Sequence, residues 1–379
     1  MYLSEEQLML RDTVREFAKK EIEPIAAAID VSMVFPAENL HKMGELGFLG
    51  IGFPSAYGGS EMDTLSFALM IEEIAKACGS TVLSVAAHCS LCCGPIAGFG
   101  TEAQKQKYLP DLLAGKKFGS FCLTEPHSGS DAGALQTTAK RDGEHYILNG
   151  SKLYVTNGGY AGTYVVFAKT NLAAGTKGIT AFIVERDSPG VIIGKKENKL
   201  GLRASDTRQI SFDNCRVPAA NLLGKENDGF KIALKTLDGG RIGIGSMAVG
   251  LAQAAMEKST AYAKERKAFG QAIAEFQAIR WYIADMATEI HAARLMVHHA
   301  ARLKDEDKPF TTEAAMAKLF ASEMAMRACN KAIQIFGGYG YVMDYPVERY
   351  WRDAKLTEIG EGTSEVQRLV ISREVLKEL

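Results

Sequence analysis

Near the C-terminus, the run Glu358-Ile359-Gly360-Glu361-Gly362-Thr363-Ser364-Glu365-Val366-Gln367 sets one carboxylate between two glycines. Neither neighbour carries a side chain, so a ligand can approach Glu361 closely. Ser364 and Gln367 have the S-x-x-Q spacing of a capping box, and Val366, Leu369, Val370 and Ile371 follow periodically, so a helix is expected to begin there. Free backbone N–H groups at such a start bind oxygen or phosphate. The chemistry on offer is that of a general base beside a carbonyl or anion site; the plain alternative is a loop carboxylate satisfied by the helix dipole.

Two further runs could hold a flat heterocycle. Phe121-Cys122-Leu123-Thr124-Glu125-Pro126-His127-Ser128-Gly129-Ser130-Asp131 combines hydroxyls, a glycine and a rigid proline, suited to the polar edge of a ring and to nearby phosphates, or to an ordinary polar loop. In Tyr154-Val155-Thr156-Asn157-Gly158-Gly159 an aromatic ring and a hydroxyl lie two positions apart. On a strand both face one way, so Tyr154 can stack on a ring system while Thr156 bonds its edge. His88-Cys89 and Cys92-Cys93 raise the question of a metal. With one C-x-x-C and no second pair at zinc spacing, small buried residues lining a pocket are expected instead, and no metal.

These residues need elements to position them. The 379 residues suffice for a large core and two or three domains, and 44 basic against 45 acidic residues leave a net charge of -1, which implies no strong field for nucleic acid or an acidic membrane. Seven cysteines, an odd number spread through a large chain, suit free thiols in a reducing compartment. The N-terminus lacks the pattern of a secretory signal. Location is therefore expected in the cytoplasm, with a mature mitochondrial matrix form as the other case. Ala77 to Thr101 is free of Asp, Glu, Lys and Arg, but its Gly, Ser, Thr, His88 and Pro95 point to a buried helix pair rather than a membrane span.

Residues 1–117 read as helical, with Leu8, Leu10, Val14 and Phe17 at helical spacing and Leu65 to Cys78 repeating it after the turn Ser55 to Gly59. Residues 118–225 change period: Tyr146 to Leu148, Leu153 to Val155, Tyr164 to Ala168, Ile179 to Val184 and Gln209 to Phe212 read as strands, with Asn149-Gly150 and Asn157-Gly158 as turns. Lys195 to Lys199 reads as a solvated turn. Residues 226–379 return to helix over Phe230 to Lys267, Gln277 to Leu303 and Thr312 to Phe336. Helices, strands, then helices predict an α+β protein in separate layers, not a doubly wound sheet. The G-x-G-x-x-G fingerprint is missing too, since Ser55 stands where Gly50-Ile51-Gly52 would need its third glycine.

Eight strings stand in order along the chain: C-L-T-E-P-H-S-G-S-D from Cys122, Y-V-T-N-G-G from Tyr154, L-D-G-G-R from Leu237, E-R-K-A-F-G from Glu265, Q-I-F-G-G-Y-G-Y from Gln334, Y-P-V-E-R from Tyr345, R-D-A-K from Arg352 and E-G-T-S-E from Glu361. Together they resemble the acyl-CoA dehydrogenase family over nearly the whole chain. The resemblance implies an N-terminal α-helical domain, a middle antiparallel β domain and a C-terminal four-helix bundle. It implies an FAD enzyme that removes a proton from the carbon beside a thioester carbonyl and a hydride from the next carbon, passing electrons to an electron-transferring flavoprotein. By the same resemblance Phe121, Leu123, Thr124, Gly129, Ser130, Tyr154 and Thr156 line the flavin, with Thr363, Ser364 and Glu365 also touching FAD. Ser130, Asp238, Arg241, Gly360 and Gly362 match substrate-binding positions. Arg266, Phe269, Gln277, Gln334, Gly337 and Gly338 match positions that bind the FAD of a neighbouring subunit, which implies a homo-oligomer, by family a tetramer.

Within this resemblance Glu361 is the base. A free carboxylate is far too weak for a thioester α-proton, so the developing enolate must be stabilised; the family uses the backbone N–H at the position of Glu361 and a ribityl hydroxyl of FAD. Some relatives carry the base on the helix matching Leu237 to Arg241, where this chain has Gly240. Asp238 and Arg241 could equally be an i, i+3 helix ion pair. Straight-chain relatives usually have Tyr before the catalytic Glu. Gly360 here predicts room for a branched or bulky short acyl group. The residues leave open the reverse reaction, an enoyl-CoA reductase; more distant are an acyl-CoA oxidase and a non-catalytic acyl-CoA-binding scaffold.

Overall fold

The computed structural model describes residues 3–378. Seven helices come first: α1 (Glu5–Phe17), α2 (Ala26–Ser32), α3 (Ala37–Glu45), α4 (Thr64–Ala77), α5 (Gly79–Ala86), α6 (Gly94–Phe99) and α7 (Glu102–Leu113). Their starts are written in local chemistry. Ser4 and Gln7 form a reciprocal capping box at α1, Thr101 and Gln104 another at α7, and the Asp63 carboxylate accepts the Ser66 N–H at 2.7 Å to open α4. The charge-free run after Ala77 is one interrupted rod rather than two packed helices: α5 continues into α6 through π-helical Ala87–Cys93. Gly79–Phe99 is long and apolar enough to cross a membrane, yet most of it is buried inside the protein.

The strands follow: β1 (Phe118–Cys122), β2 (Thr138–Asp142), β3 (His145–Thr156), β4 (Ala161–Lys169), β5 (Ile179–Glu185), β6 (Val191–Lys196), β7 (Thr207–Pro218) and β8 (Leu222–Leu223). They build one sheet in the order β6-β7-β3-β2-β4-β5-β8 with β1 on β4; pairing is antiparallel except for β1 with β4 and the single contact of β2 with β4. Asn149-Gly150 is not the turn its composition suggests. It lies within β3 at a register slip, where Gly150 has φ 147° and a Cβ would come 2.5 Å from Thr137 Oγ1. Asn157-Gly158 does turn the chain, with Asn157 at φ 63°. Lys195 to Lys199 is likewise no solvated turn. Lys196 ends β6 with Nζ on the Met33 carbonyl, and Lys199 Nζ donates to the Ser205 carbonyl at 2.7 Å; the apolar stems lie along the protein while the ammonium groups reach carbonyl oxygens.

The last layer is helical: α8 (Gly229–Glu265), a small hairpin of β9 (Lys267–Ala268) and β10 (Gln271–Ala272), then α9 (Gln277–Asp305), α10 (Thr311–Phe336), α11 (Val347–Ile359) and α12 (Ser364–Glu378). Helices α8 to α11 pack as a four-helix bundle, and α12 lies against α10. The first layer docks onto α8 through small residues: a Cβ on Gly250 would come 2.4 Å from the Glu72 carbonyl, so glycine lets α4 and α8 approach backbone to backbone. Arg294 on α9 meets Glu72 at 2.8 Å across the same seam. One apolar core runs through all three layers, and a second fills the opposite face of the sheet.

Candidate active site

Helix α11 ends at Ile359, and the chain reverses through Gly360, Glu361 (φ 55°) and Gly362 (φ 95°) before α12. A left-handed glutamate costs about 1–3 kcal/mol and persists only where its surroundings over-determine it. Here Gln367 Nε2 donates to the carbonyls of Glu361 (3.2 Å) and Gly362 (3.0 Å), and Lys318 Nζ on α10 donates to the Gly362 carbonyl at 2.6 Å. The helix cap differs from the S-x-x-Q expectation. Thr363 Oγ1 accepts the Val366 N–H at 3.3 Å, while Ser364 Oγ is buried without a protein partner. The left-handed pair advances the reversal, so the cap falls one residue early and Gln367 is spent on the turn.

The turn drives Glu361 toward α8. A Cβ on Gly240 would stand 1.9 Å from Glu361 Oε2, and the next apolar atom there is Leu91 Cδ2 from the π-helical segment. The residue as a whole is half-buried because its backbone lies on the turn, but Oε2 itself is buried and has no hydrogen-bond partner. Burial pushes the carboxyl up to about 7, against the opposing pull of Lys318 and Arg241. Asp238 and Arg241 do form the i, i+3 ion pair, at 2.5 Å, with Thr311 Oγ1 donating to Asp238 at 2.9 Å; Arg241 Nε is left buried and unpartnered.

The path from this carboxyl to the sheet is short. Leu91 belongs to the segment whose Cys92 packs on Gly119 of β1, and His88 there uses both ring nitrogens, Nδ1 accepting the Gly119 N–H (2.9 Å) and Nε2 facing the Leu112 carbonyl (3.1 Å). The two runs read as a heterocycle site lie side by side: the Leu153 N–H donates to the Thr124 carbonyl at 2.8 Å and Ser120 Oγ to the Thr156 carbonyl at 2.7 Å. The first of these bonds joins main chain to main chain, and so is independent of the side chains at either position.

Beneath the two runs Lys152, wholly buried, pairs with Glu125 at 2.7 Å, and Glu125 also accepts the N–H groups of Gln136 (2.6 Å) and Thr137 (3.0 Å). Phe121, Thr124 and Thr156 are half-buried, Leu123 is buried, and Gly129 and Ser130 are exposed. Tyr154 departs from the regular strand expected for it: it has φ 56° at a register slip, and the residue is 63% exposed, beside the buried Val155.

A second group lies far from Glu361. Arg266 caps the C-terminal end of α8, 26 residues beyond Gly240, which is about 39 Å along the helix axis. With Gly337 and Gly338 it lines a groove of about 540 Å³, large enough for part of a dinucleotide. Phe269 (φ 51°) stands 95% exposed on the β9–β10 hairpin, and Gln277 and Gln334 are exposed at the start of α9 and near the end of α10. Three partners of the Glu361 turn escape a reading of the sequence: Lys318, Gln367 in its actual role, and Leu91. A lysine amid the apolar Ala-Met-Ala-Lys-Leu-Phe stretch is the one available signal.

Families of known proteins match all three layers: the acyl-CoA dehydrogenase N-terminal domain over residues 4–116, the middle domain over 120–215 and the C-terminal domain over 227–376. The chain belongs to the acyl-CoA dehydrogenase family, whose members are FAD-dependent oxidoreductases. It is 52% identical over 375 residues to a short-chain specific acyl-CoA dehydrogenase of Clostridium acetobutylicum, covering 99% of each chain. It is 51% identical over 377 residues to an acryloyl-CoA reductase (NADH) of Anaerotignum propionicum, covering 99% of this chain and 95% of that one. Among solved structures, butyryl-CoA dehydrogenase from Megasphaera elsdenii superposes with TM-score 0.98 at 45% identity, covering 99% of each chain. A chain from the structure of the electron transferring flavoprotein of Acidaminococcus fermentans, solved towards a mechanism of flavin-based electron bifurcation, superposes with TM-score 0.99 at 51% identity, covering 100% of this chain and 99% of that one.

Proposed function

We propose that this protein dehydrogenates a short-chain acyl-CoA to the 2-enoyl-CoA with Glu361 as the base, and hands the electrons to an electron-transferring flavoprotein. The observation that carries this reading is the buried, unpartnered Oε2 of Glu361, aimed at the space a Gly240 side chain would fill. Such a carboxyl, pushed up to about 7, is close to the pH at which a base both ionises and holds a proton. The residues also fit the cofactor. Ser364 Oγ is an orphaned buried polar atom at the start of α12, and Tyr154 and Phe269 are exposed, the Phe269 ring meeting its own chain only edge-on at Phe276 among the ring contacts of the described residues. FAD, when bound, supplies the hydride acceptor, and Thr124, Thr156, Ser130 and Thr363 to Glu365 are the residues that would hold it. Glu361 takes the α-proton onto its carboxyl, while the apolar wall at Leu91 keeps water from it.

The Arg266, Phe269, Gln277 and Gln334 to Gly338 group lies too far along the bundle to serve the same flavin edge as Glu361. We assign it to the FAD of a neighbouring copy, and with it a homo-oligomer, by family a tetramer. Gly360 supports a compact acyl group with room for branching: it lacks the ring that a larger residue would put there, and the three atoms nearest to a Cβ at this position all belong to Leu356, at ordinary contact distances of 3.5 Å and beyond. The seven cysteines are free and buried, which suits the reducing cytoplasm. The acryloyl-CoA reductase relative supports a second reading, the same site run as an enoyl-CoA reductase.

The test is bleaching of the oxidised flavin by butyryl-, isobutyryl- and isovaleryl-CoA under anaerobic mixing. Glu361→Gln should retain acyl-CoA binding and lose bleaching by about a thousandfold or more. A variant that bleached as fast as the parent would overturn the assignment of the base. Reduction of crotonyl-CoA by the reduced partner flavoprotein, faster than oxidation of butyryl-CoA by the same partner in its oxidised form, would favour the second reading.

A further inference from the structure

Lys318 is fully buried on α10, yet it takes no part in the proton transfer assigned to Glu361. Its ammonium donates to the Gly362 carbonyl at 2.6 Å, one residue beyond Glu361, while Glu361 Oε2 itself has no hydrogen-bond partner. A buried ammonium bonded directly to that carboxylate would occupy the lone pairs the base needs. Bonded instead to the adjacent carbonyl, it stands beside the base and leaves it open. The same bond helps hold a strained turn, because Glu361, unlike the glycine after it, pays for its positive φ.

We infer that Lys318 is a positioning residue for Glu361: it locks the turn that aims the carboxyl at Gly240, and its charge favours the ionised base in a site closed to water. This inference rests on the reading of Glu361 as the base. The charges acting on that carboxyl are Lys318 from α10 and Arg241 from α8, the latter paired with Asp238; Glu358 from α11 and Glu365 from α12 act on Lys318 in turn, and Arg373 from α12 on Arg241. Asp238 engages Arg241, whereas the Lys318 ammonium has a neutral carbonyl as its hydrogen-bond partner, so its charge stays directed at the base. Burial drives Lys318 down to about 8, partly restored by Glu361, so the cation is present through neutral pH and its influence fades above about 8.

Lys318→Met keeps much of the volume and removes both the bond and the charge; Lys318→Arg keeps the charge. Two readouts on the FAD-loaded enzyme separate the roles: the pH profile of flavin bleaching by butyryl-CoA, and infrared titration of the Glu361 carboxyl, assigned by its loss in Glu361→Gln. In Lys318→Met the acidic limb and the carboxyl titration should both move up by about one unit or more. Lys318→Arg should bring both back toward the parent. A folded Lys318→Met whose carboxyl titrates with the parent overturns the inference, as does an arginine variant that shifts as far as the methionine. Should Lys318→Met fail to fold, Lys318→Gln carries the same expectation. The infrared readout is independent of bleaching, so failure of Glu361 as the base would appear as bleaching that survives Glu361→Gln, with the Lys318 result still read from the carboxyl.

Discussion

Gly240 of α8 and Glu361 of the α11–α12 turn share one space: a Cβ on the glycine would lie 1.9 Å from Oε2 of the glutamate. One position must be bare for the other to reach in. Gly240→Ala should therefore displace the carboxyl, and a misplacement of about 1 Å is enough to lower the flavin-reduction rate by about a hundredfold. Alanine is also the better helix former, by about 1 kcal/mol. The melting temperature should thus stay close to the parent's while bleaching by butyryl-CoA falls. Unchanged bleaching would mean that Glu361 works from another position.

Protonation of buried carboxylates should shape the stability of the fold. Asp353 on α11 accepts the Leu202 N–H at 2.5 Å, and burial raises it from its ordinary 3.8 to about 7 despite that bond. The folded state holds its proton more tightly than the unfolded chain. Its contribution is therefore most favourable at low pH and is lost as pH rises through the window between about 4 and about 7. Asp353→Asn should flatten that window. Urea unfolding at about pH 5 and about pH 8 should show the variant gaining about 2 kcal/mol relative to the parent at the higher pH. An unchanged difference between the two pH values would remove Asp353 from the linkage.

Lys152 and Glu125 anchor the two runs assigned to the flavin from beneath, with the lysine wholly buried. Removing one partner of a buried pair strands the other, so Lys152→Met should cost about 3–5 kcal/mol in denaturant unfolding. Because Glu125 also holds the Gln136 and Thr137 N–H groups, the loop that carries Ser128 to Asp131 should loosen with it. The absorbance ratio of bound flavin to protein should fall in the purified variant. Full flavin content with parental stability would show that the main-chain pairing of Thr124 with Leu153 suffices.

The chain's own order of residues determined much of this protein. Helical periods, the change to strand composition after residue 117, and caps such as Ser4 with Gln7 are local chemistry, satisfied within one turn of chain, so they are legible before folding. Glu361 between two glycines was legible for the same reason, and the eight ordered strings carried the family. Tertiary structure decided the rest. Whether Asn149-Gly150 turns or bulges depends on Thr137 across the sheet, and whether Lys196 meets water or a carbonyl depends on Met33. Lys318 stands 44 positions from Gly362, and Gly240 lies still further from Glu361. Nothing in their local spacing ties them together: only the packing of α8, α10 and the turn before α12 brings a bare helix position, a buried cation and a strained carboxylate into one water-poor site, where each changes what the others can do.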